Sequence, residues 1–453
     1  MIEEMSLQDV QALSGGELAG ANVRFAQVST DTRTLQPGSL FVAISGENFN
    51  GNRFVEKAAE KGAVAAVTTE KMKQPIPVLR VENSRLTLGK LGMRNRELSK
   101  ARIAALTGSQ GKTTVKEMIA AILENCGKVL KTRGNLNNDL GVPLTLLELE
   151  AEHEYAVVEL GANAPGEIAY TSAFVKPHVV HITNVAATHL EGFGDLDGVN
   201  RSKSEIWKSL TEGGVAVINL DDAYAGDWLE QLKGKNFVTV SALGKTTADY
   251  QVADLKFDAV MHSSFSLLTP ESSLQVKLPL PGQHNVANAA AAAAISMQLG
   301  ASPEAVRQGL ESMQSVPGRM CLANGRNKSV IIDDSYNASP SSFRAAIDVL
   351  AGQLGTKIVA MGDMGELGNS AEEAHREIGT YAAEKGIEFF FAVGPLSDFA
   401  VKGFGKAGRH FTDIEKLAEH LLPLLKPEMT ILVKGSRSSG MDRLVRHLTQ
   451  EGD

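Results

Sequence analysis

The segment Arg102-Ile-Ala-Ala-Leu-Thr-Gly-Ser-Gln-Gly-Lys-Thr-Thr-Val-Lys-Glu-Met-Ile-Ala-Ala121 decides the fold. An apolar strand runs into a glycine-rich turn, and the turn runs into a helix. Successive backbone N–H groups at such a turn, together with the helix N-terminus, form a cradle for phosphates. Gly108, Ser109, Gln110, Gly111, Lys112, Thr113 and Thr114 make up the cradle. Lys112 adds a point charge for the outer phosphates, and the Thr113 hydroxyl suits Mg²⁺. The usual P-loop carries a glycine five residues before Gly111, where this chain has Leu106. The shortened form, Gly-x-x-Gly-Lys-Thr-Thr, narrows the choice of P-loop enzymes.

The rest of the chain predicts an α/β protein built around this turn. At 453 residues it is long enough for about three domains, expected at 1–98, 99–316 and 317–453. In the first, the polar stretch Val28–Arg33 and the turn Gln36-Pro37-Gly38 precede an apolar strand Leu40–Ile44. A helix is expected over 54–61 and a strand over Val64–Thr68. The middle segment alternates strands and helices, as in a mostly parallel sheet covered on both faces. Its strand candidates are Ile103–Thr107, Ala156–Leu160, Val179–Asn184 and Val215–Leu220, each largely apolar. A linker, Ser315-Val316-Pro317-Gly318, leads to a third α/β segment. Its expected strands are Ser329–Asp333, Lys357–Met361, Phe389–Val393 and Thr430–Val433.

The net charge of −8 and the lack of a Lys/Arg stripe argue against nucleic acid or membrane partners. A polyanionic ligand must then be held by local cations. Two cysteines, Cys126 and Cys321, give no disulfide framework. The acidic N-terminus lacks the apolar core of a signal peptide, and the alanine-rich run 287–296 is too short to span a bilayer. A soluble cytoplasmic protein is expected.

Ligands of open α/β sheets sit beyond the C-terminal ends of the strands. Glu159 lies at such an end, beside the P-loop strand, where a carboxylate anchors nucleotide Mg²⁺. His189 follows the next strand. Lys203 lies in an expected helix, Val199–Leu210, and spacing alone gives it no role. Asn285 and Asn288, three apart at the start of the alanine-rich helix, can either meet a base edge or cap the helix. Arg319, in Pro317-Gly318-Arg319, can reach a phosphate or form an interdomain salt bridge. Polar loops follow the third segment's strands: Asp333–Pro340, Gly362–Gly368 and Lys434–Arg437.

In this order the motifs resemble the Mur ligase family over essentially the whole chain. The family's Thr-Gly-x-x-Gly-Lys-Thr loop matches Thr107–Thr113. Its His-Asn-x-x-Asn matches His284–Asn288, and its hinge Pro-Gly-Arg matches Pro317–Arg319. Further matches are Gly134–Asn138, His189–Phe193, Asp334–Asn337, Gly362–Gly368 with His375, and Lys434–Ser438. The chain has Asn50-Gly51-Asn52-Arg53-Phe54 where relatives often carry Asp-Gly-His-x-Phe.

The resemblance implies a small UDP-sugar-binding α/β domain at 1–98, a central P-loop ATPase domain at 99–316 and a C-terminal Rossmann-like domain at 317–453. The implied activity is ATP-dependent amide ligation, joining D-Ala-D-Ala to UDP-MurNAc-tripeptide through an acyl phosphate. It implies ATP and two Mg²⁺ ions. Thr113 and Glu159 would hold the first ion; His189 and a carbamylated Lys203 would hold the second. Lys112 would serve the transferring phosphoryl group. Asn285 and Asn288 would meet adenine, while Arg319 and Asp334 would bring the third domain onto ATP. Thr30, Asp31, Arg33, Gly46, Asn137 and Asn138 would meet the nucleotide-sugar peptide, and Asn337, Ser436 and Arg437 the dipeptide. A monomer is expected. Folylpolyglutamate synthase, which shares the ATP domain and chemistry, has no counterpart to residues 1–98. A P-loop switch is the rival outside the ligases, but the Asn-Lys-x-Asp motif of base-selective GTPases is missing here.

Overall fold

The computed structural model describes residues 1–46, 49–71, 75–245, 247–258 and 261–449. Among these residues the chain forms a five-stranded, a nine-stranded and a six-stranded sheet, with two short two-stranded ribbons.

The nine-stranded sheet carries the P-loop. In spatial order its strands are Val129–Lys131, Tyr155–Glu159, Arg102–Thr107, Val179–Ile182, Val215–Asn219, Asn236–Ser241, Tyr250–Phe257, His262–Leu268 and Ser273–Pro281. The first six pairings are parallel and the last two antiparallel. Side chains alternate with the pleat. Ala104 and Leu106 join the core under the P-loop helix Lys112–Leu123 and the alanine-rich helix Gln283–Gln298. Ile103 and Ala105 join the core on the other face. Both faces are covered, so the strands are apolar throughout. The alanines lie almost wholly buried, and their small side chains let the helix sit close to the sheet.

Two of the expected elements whose ends change bear on the site. The strand Val179–Asn184 stops at Ile182, because the Thr183 and Asn184 side chains turn to the P-loop backbone at Gln110. The expected helix Val199–Leu210 is α-helical only over Leu196–Ser204 and tightens into a 3₁₀ turn over Glu205–Ser209. There Glu205 accepts the N–H groups of Gly166 and Ala169 from the neighbouring helix.

The six-stranded sheet runs Cys321–Asn324, Val330–Asp334, Met429–Lys434, Thr356–Gly362, Phe389–Val393 and Gly408–Phe411, parallel except for its first strand. The five-stranded sheet lies at the N-terminus, with Leu40–Val42 and Ala65–Thr68 inside it.

The helix Ser84–Leu98 joins the N-terminal and P-loop sheets. It packs on the helix Gly141–Leu147 so closely that a Cβ on Gly92 would stand 2.9 Å from the backbone of Pro143. Buried Asn95 accepts the N–H of Ile2 and donates to the carbonyls of Leu146 and Leu149. Arg96 donates to the carbonyls of Val175 and Lys176. Leu147 belongs to the N-terminal core. Losing a buried carboxamide bonded in this way costs about 1–3 kcal/mol.

Candidate active site

The P-loop leaves the middle of the nine-stranded sheet and bends back on it. The Ser109 N–H donates to the Asn184 carbonyl at 2.9 Å, and the Gln110 N–H to the Asn184 side chain at 3.0 Å. Gly111 adopts φ +79° with the Asn288 carboxamide oxygen 2.7 Å from where a Cβ would stand, so only glycine fits. It starts the helix without a side-chain cap, leaving the first-turn N–H groups to a ligand. The Lys112 ammonium folds onto the carbonyls of Gly108, at 2.7 Å, and Ser109. Its pKa is lowered by burial, Glu159 opposing and Arg319 adding to the shift. A cation held against carbonyls, beside first-turn N–H groups that no side chain caps among the described residues, fits a triphosphate.

The donors for a metal ion lie beside it. Thr113 Oγ donates to Glu159 Oε2 at 3.0 Å, and the Asn137 carboxamide donates to Oε1 at 2.9 Å. The buried Lys116 ammonium stands 3.8 Å from Oε2 and donates to the Thr132 carbonyl. The hydroxyl and carboxylate are thus already together, a set that fits Mg²⁺. The Asn138 side chain instead accepts the Gly141 N–H at 2.8 Å, just ahead of the helix Gly141–Leu147.

His189 takes φ +52° and pairs through Nδ1 with Glu366, in the loop after the strand Thr356–Gly362 of the six-stranded sheet and itself at φ +61°. Burial lowers the His189 pKa; Glu366 opposes this, while Lys112 and Lys203 add to it. Lys203 is 2% exposed, and its ammonium lies 5.9 Å from the Phe193 ring centre. Burial, then the charge of Lys112, lowers its pKa to about 7. Among the described residues no carboxylate pairs with it, and no group of three or more His, Cys, Asp or Glu side chains could hold an ion.

A cavity of about 680 Å³ opens between the two larger sheets. The nine-stranded sheet brings Ser109–Lys112, Thr114, His189, Asn285 and Asn288 to its wall. The other sheet brings Arg319, Asp334, Asn337, Ser436 and Arg437. Asn285 donates to the Pro281 carbonyl, and Asn288 donates to Asn285. Neither caps its helix, which starts at Gly282 without a side-chain cap. Among the described residues no carboxylate forms an ion pair with Arg319; its guanidinium lies 4.3 Å from the Tyr336 ring centre. Asp334 takes the Lys434 ammonium at 2.5 Å and the Met320 N–H at 3.1 Å, so it braces the hinge. Asn337 accepts the Ala338 N–H, and Ser436 bonds Ser438. Buried His375 accepts the Met364 N–H and shapes the Gly362–Gly368 loop.

Thr30, Asp31, Arg33 and Gly46 do not line the cavity. Asp31 and Arg33 pair at 2.6 Å in an open turn. Gly46 lies near Arg85, whose ion pair with Asp139 continues the surface toward Asn137. No motif announces the bridge from Gln110 to Ser339 and Ser341 across the two sheets. Nor does one announce His181, which lines the cavity.

His181 sets an acid limit on stability. Its Nδ1 donates to the Val217 carbonyl at 2.8 Å, and burial lowers its pKa to about 4. Between pH 6.5 and 4 the unfolded chain binds a proton that the folded chain refuses, so stability falls with pH across this window. At about 1.4 kcal/mol per unit, the loss is on the order of 3 kcal/mol. Denaturant titrations should show a smaller acid loss in His181→Leu than in the parent; equal losses would reject this account.

Three family models match: "Mur ligase family, catalytic domain" over residues 24–95, "Mur ligase middle domain" over 106–296 and "Mur ligase, glutamate ligase domain" over 318–437. The UDP-N-acetylmuramoyl-tripeptide–D-alanyl-D-alanine ligase of Escherichia coli K12 is 42% identical over 452 residues, covering 99% of each chain. The chain belongs to the Mur ligase family. Among solved Mur ligases, MurF from Acinetobacter baumannii superposes with a TM-score of 0.94 at 37% identity, covering 99% of this chain and 100% of that one. MurF from Thermotoga maritima, solved in complex with ADP, gives 0.82 at 28% identity over 93% and 96% of the two chains. The three-part α/β architecture of this Mur ligase agrees with those structures.

Proposed function

We propose that this Mur ligase joins D-Ala-D-Ala to UDP-MurNAc-tripeptide at the expense of ATP, giving the pentapeptide precursor of peptidoglycan. One observation carries the reading: a P-loop and the polar loops of a second sheet share one cavity, in a chain alignable end to end with ligases of that name. Phosphoryl transfer needs charge neutralisation and in-line placement more than an acid or base. The peptide carboxylate attacks the γ-phosphorus and ADP leaves. The dipeptide amine then attacks the acyl carbon, phosphate leaves and the amine loses its proton. Lys112 and Arg319 offset the charge on the transferring group. Asn285 and Asn288 face adenine, and Asp334 holds the hinge that carries Arg319. Asn337, Ser436 and Arg437 receive the dipeptide.

Thr113 and Glu159 would hold one Mg²⁺, which lowers the charge of the triphosphate. His189 and a carbamylated Lys203 would hold a second. The domains are taken as 1–98 for the nucleotide sugar, 99–316 for ATP, and 317–453 for the dipeptide and closure. A reaction that uses ATP belongs in the cytoplasm. Among the described residues no helix is long and apolar enough to cross a membrane, and a single chain supplies every group named, which supports a monomer.

Phosphate release should require UDP-MurNAc-tripeptide and D-Ala-D-Ala together. Nucleotide hydrolysis indifferent to both would overturn the reading. Thr30, Asp31, Arg33 and Gly46, with Asn137 and Asn138 across the joint, are assigned to the nucleotide-sugar peptide. Removing residues 1–98 would strip the cover from Leu147, so point changes are the better probe. Asp31→Ala should raise the KM for the nucleotide sugar about ten-fold, the loss of one charge-assisted contact, and leave the KM for ATP unchanged. Equal changes in both would count against the assignment.

A further inference from the structure

We propose that Tyr336 is a positioning residue whose ring holds Arg319 and Arg437 in register, so that the ATP arm and the dipeptide arm of the site form one unit. The proposal rests on the ligase reading above. Both guanidinium carbons lie over this ring, Arg319 at 4.3 Å from its centre and Arg437 at 5.9 Å. All three residues line the cavity.

The ring is fixed to the hinge. The Tyr336 N–H donates to the Gly318 carbonyl at 3.0 Å, and the Gly318 N–H donates to Asp333 at 3.1 Å. The next residue but one, Met320, is bonded to Asp334. Hinge and strand end therefore travel together, with Arg319 and the ring on the same body. Arg437 comes from a different loop, after the strand Met429–Lys434. Tyr336 is the aromatic ring that both arginines share.

A free arginine samples many rotamers, and ordering it on binding costs affinity. An aromatic face orders it in advance through the ring quadrupole and leaves its planar edge of donors free. The negative ring face also offsets the repulsion between two cations that serve anionic ligands. Among the described residues the phenol hydroxyl makes no hydrogen bond, so the face of the ring carries the effect.

The test replaces Tyr336 with phenylalanine and then with mono-, di- and trifluorophenylalanine. This series keeps the shape and drains the ring face of negative charge. Phenylalanine should stay within about two-fold of the parent. The KM values for ATP and for D-Ala-D-Ala should then rise together, stepwise, to about ten-fold. The KM for UDP-MurNAc-tripeptide should not move, whereas general damage to the fold would move all three. A flat series, a rise confined to one substrate, or a large loss with phenylalanine itself would overturn the proposal. If the parent does not ligate, the functional reading fails instead. ADP affinity across the same series, measured by calorimetry, then decides: a stepwise fall supports the Arg319 platform and a flat series rejects it.

Discussion

Lys112→Ala is expected to abolish ligation while the protein stays folded. The ammonium lies at the cavity wall over the Gly108 and Ser109 carbonyls, where the outer phosphates of a bound triphosphate would replace those contacts. Burial already lowers its pKa, so the fold gains little from keeping this cation. Its benefit falls on the transition state, where charge spreads over the transferring phosphoryl group. Removing one such preorganised contact costs about 3 kcal/mol or more, a hundredfold or greater loss of rate. Phosphate release and melting temperature, measured side by side, check this. Near-parental rates in a folded variant would reject the P-loop assignment.

Lys203→Ala is expected to lose about a hundredfold in rate, in line with the loss of a group supporting a metal site, and to recover part of it in acetate. The side chain is almost wholly buried, with its pKa lowered to about 7 by burial and by Lys112. A charged ammonium there would face Lys112, His189 and any bound cation. The neutral amine can instead attack CO₂, forming an N–C bond and releasing a proton, and the carbamate product is anionic. That anion would add a second carboxylate-like donor near His189, beside the Glu366 carboxylate that already pairs with its Nδ1. A small carboxylate diffusing into the vacated space should act in part as a substitute. Full activity of the alanine variant, or no response to acetate, would refute the modified lysine.

The sequence made the phosphate cradle legible because its chemistry demands fixed residues at fixed spacing. Glu159 was legible only beside that cradle: alone, a strand-end carboxylate reads as a solvated surface residue, but next to the P-loop strand it suits the nucleotide's metal. The strands from Asn236 to Pro281 were not. They form the outer part of the sheet, where serines such as Ser263, Ser264 and Ser266 interrupt the apolar pattern. Asp334 read as a residue that brings the third domain onto ATP; it lines the cavity, and its own partners there are Lys434 and Met320. That contact links residues a hundred positions apart, and no local pattern announces it. The meeting of His189 with Glu366 has the same origin, since it depends on how two sheets face each other.

The helix Ser84–Leu98 has one more effect. Its hydrogen bonds and close packing tie the N-terminal sheet to the P-loop sheet as one stiff frame. If the nucleotide sugar is anchored at one end of that frame, as proposed above, it would meet ATP at the other across a set distance. The peptide between them must bridge this gap with its own length. The frame would then act as a gauge: a stem one residue too short would leave its carboxylate out of reach of the phosphorus, and one too long would overshoot it. Selection for the tripeptide's length would then reside in the spacing between two sheets.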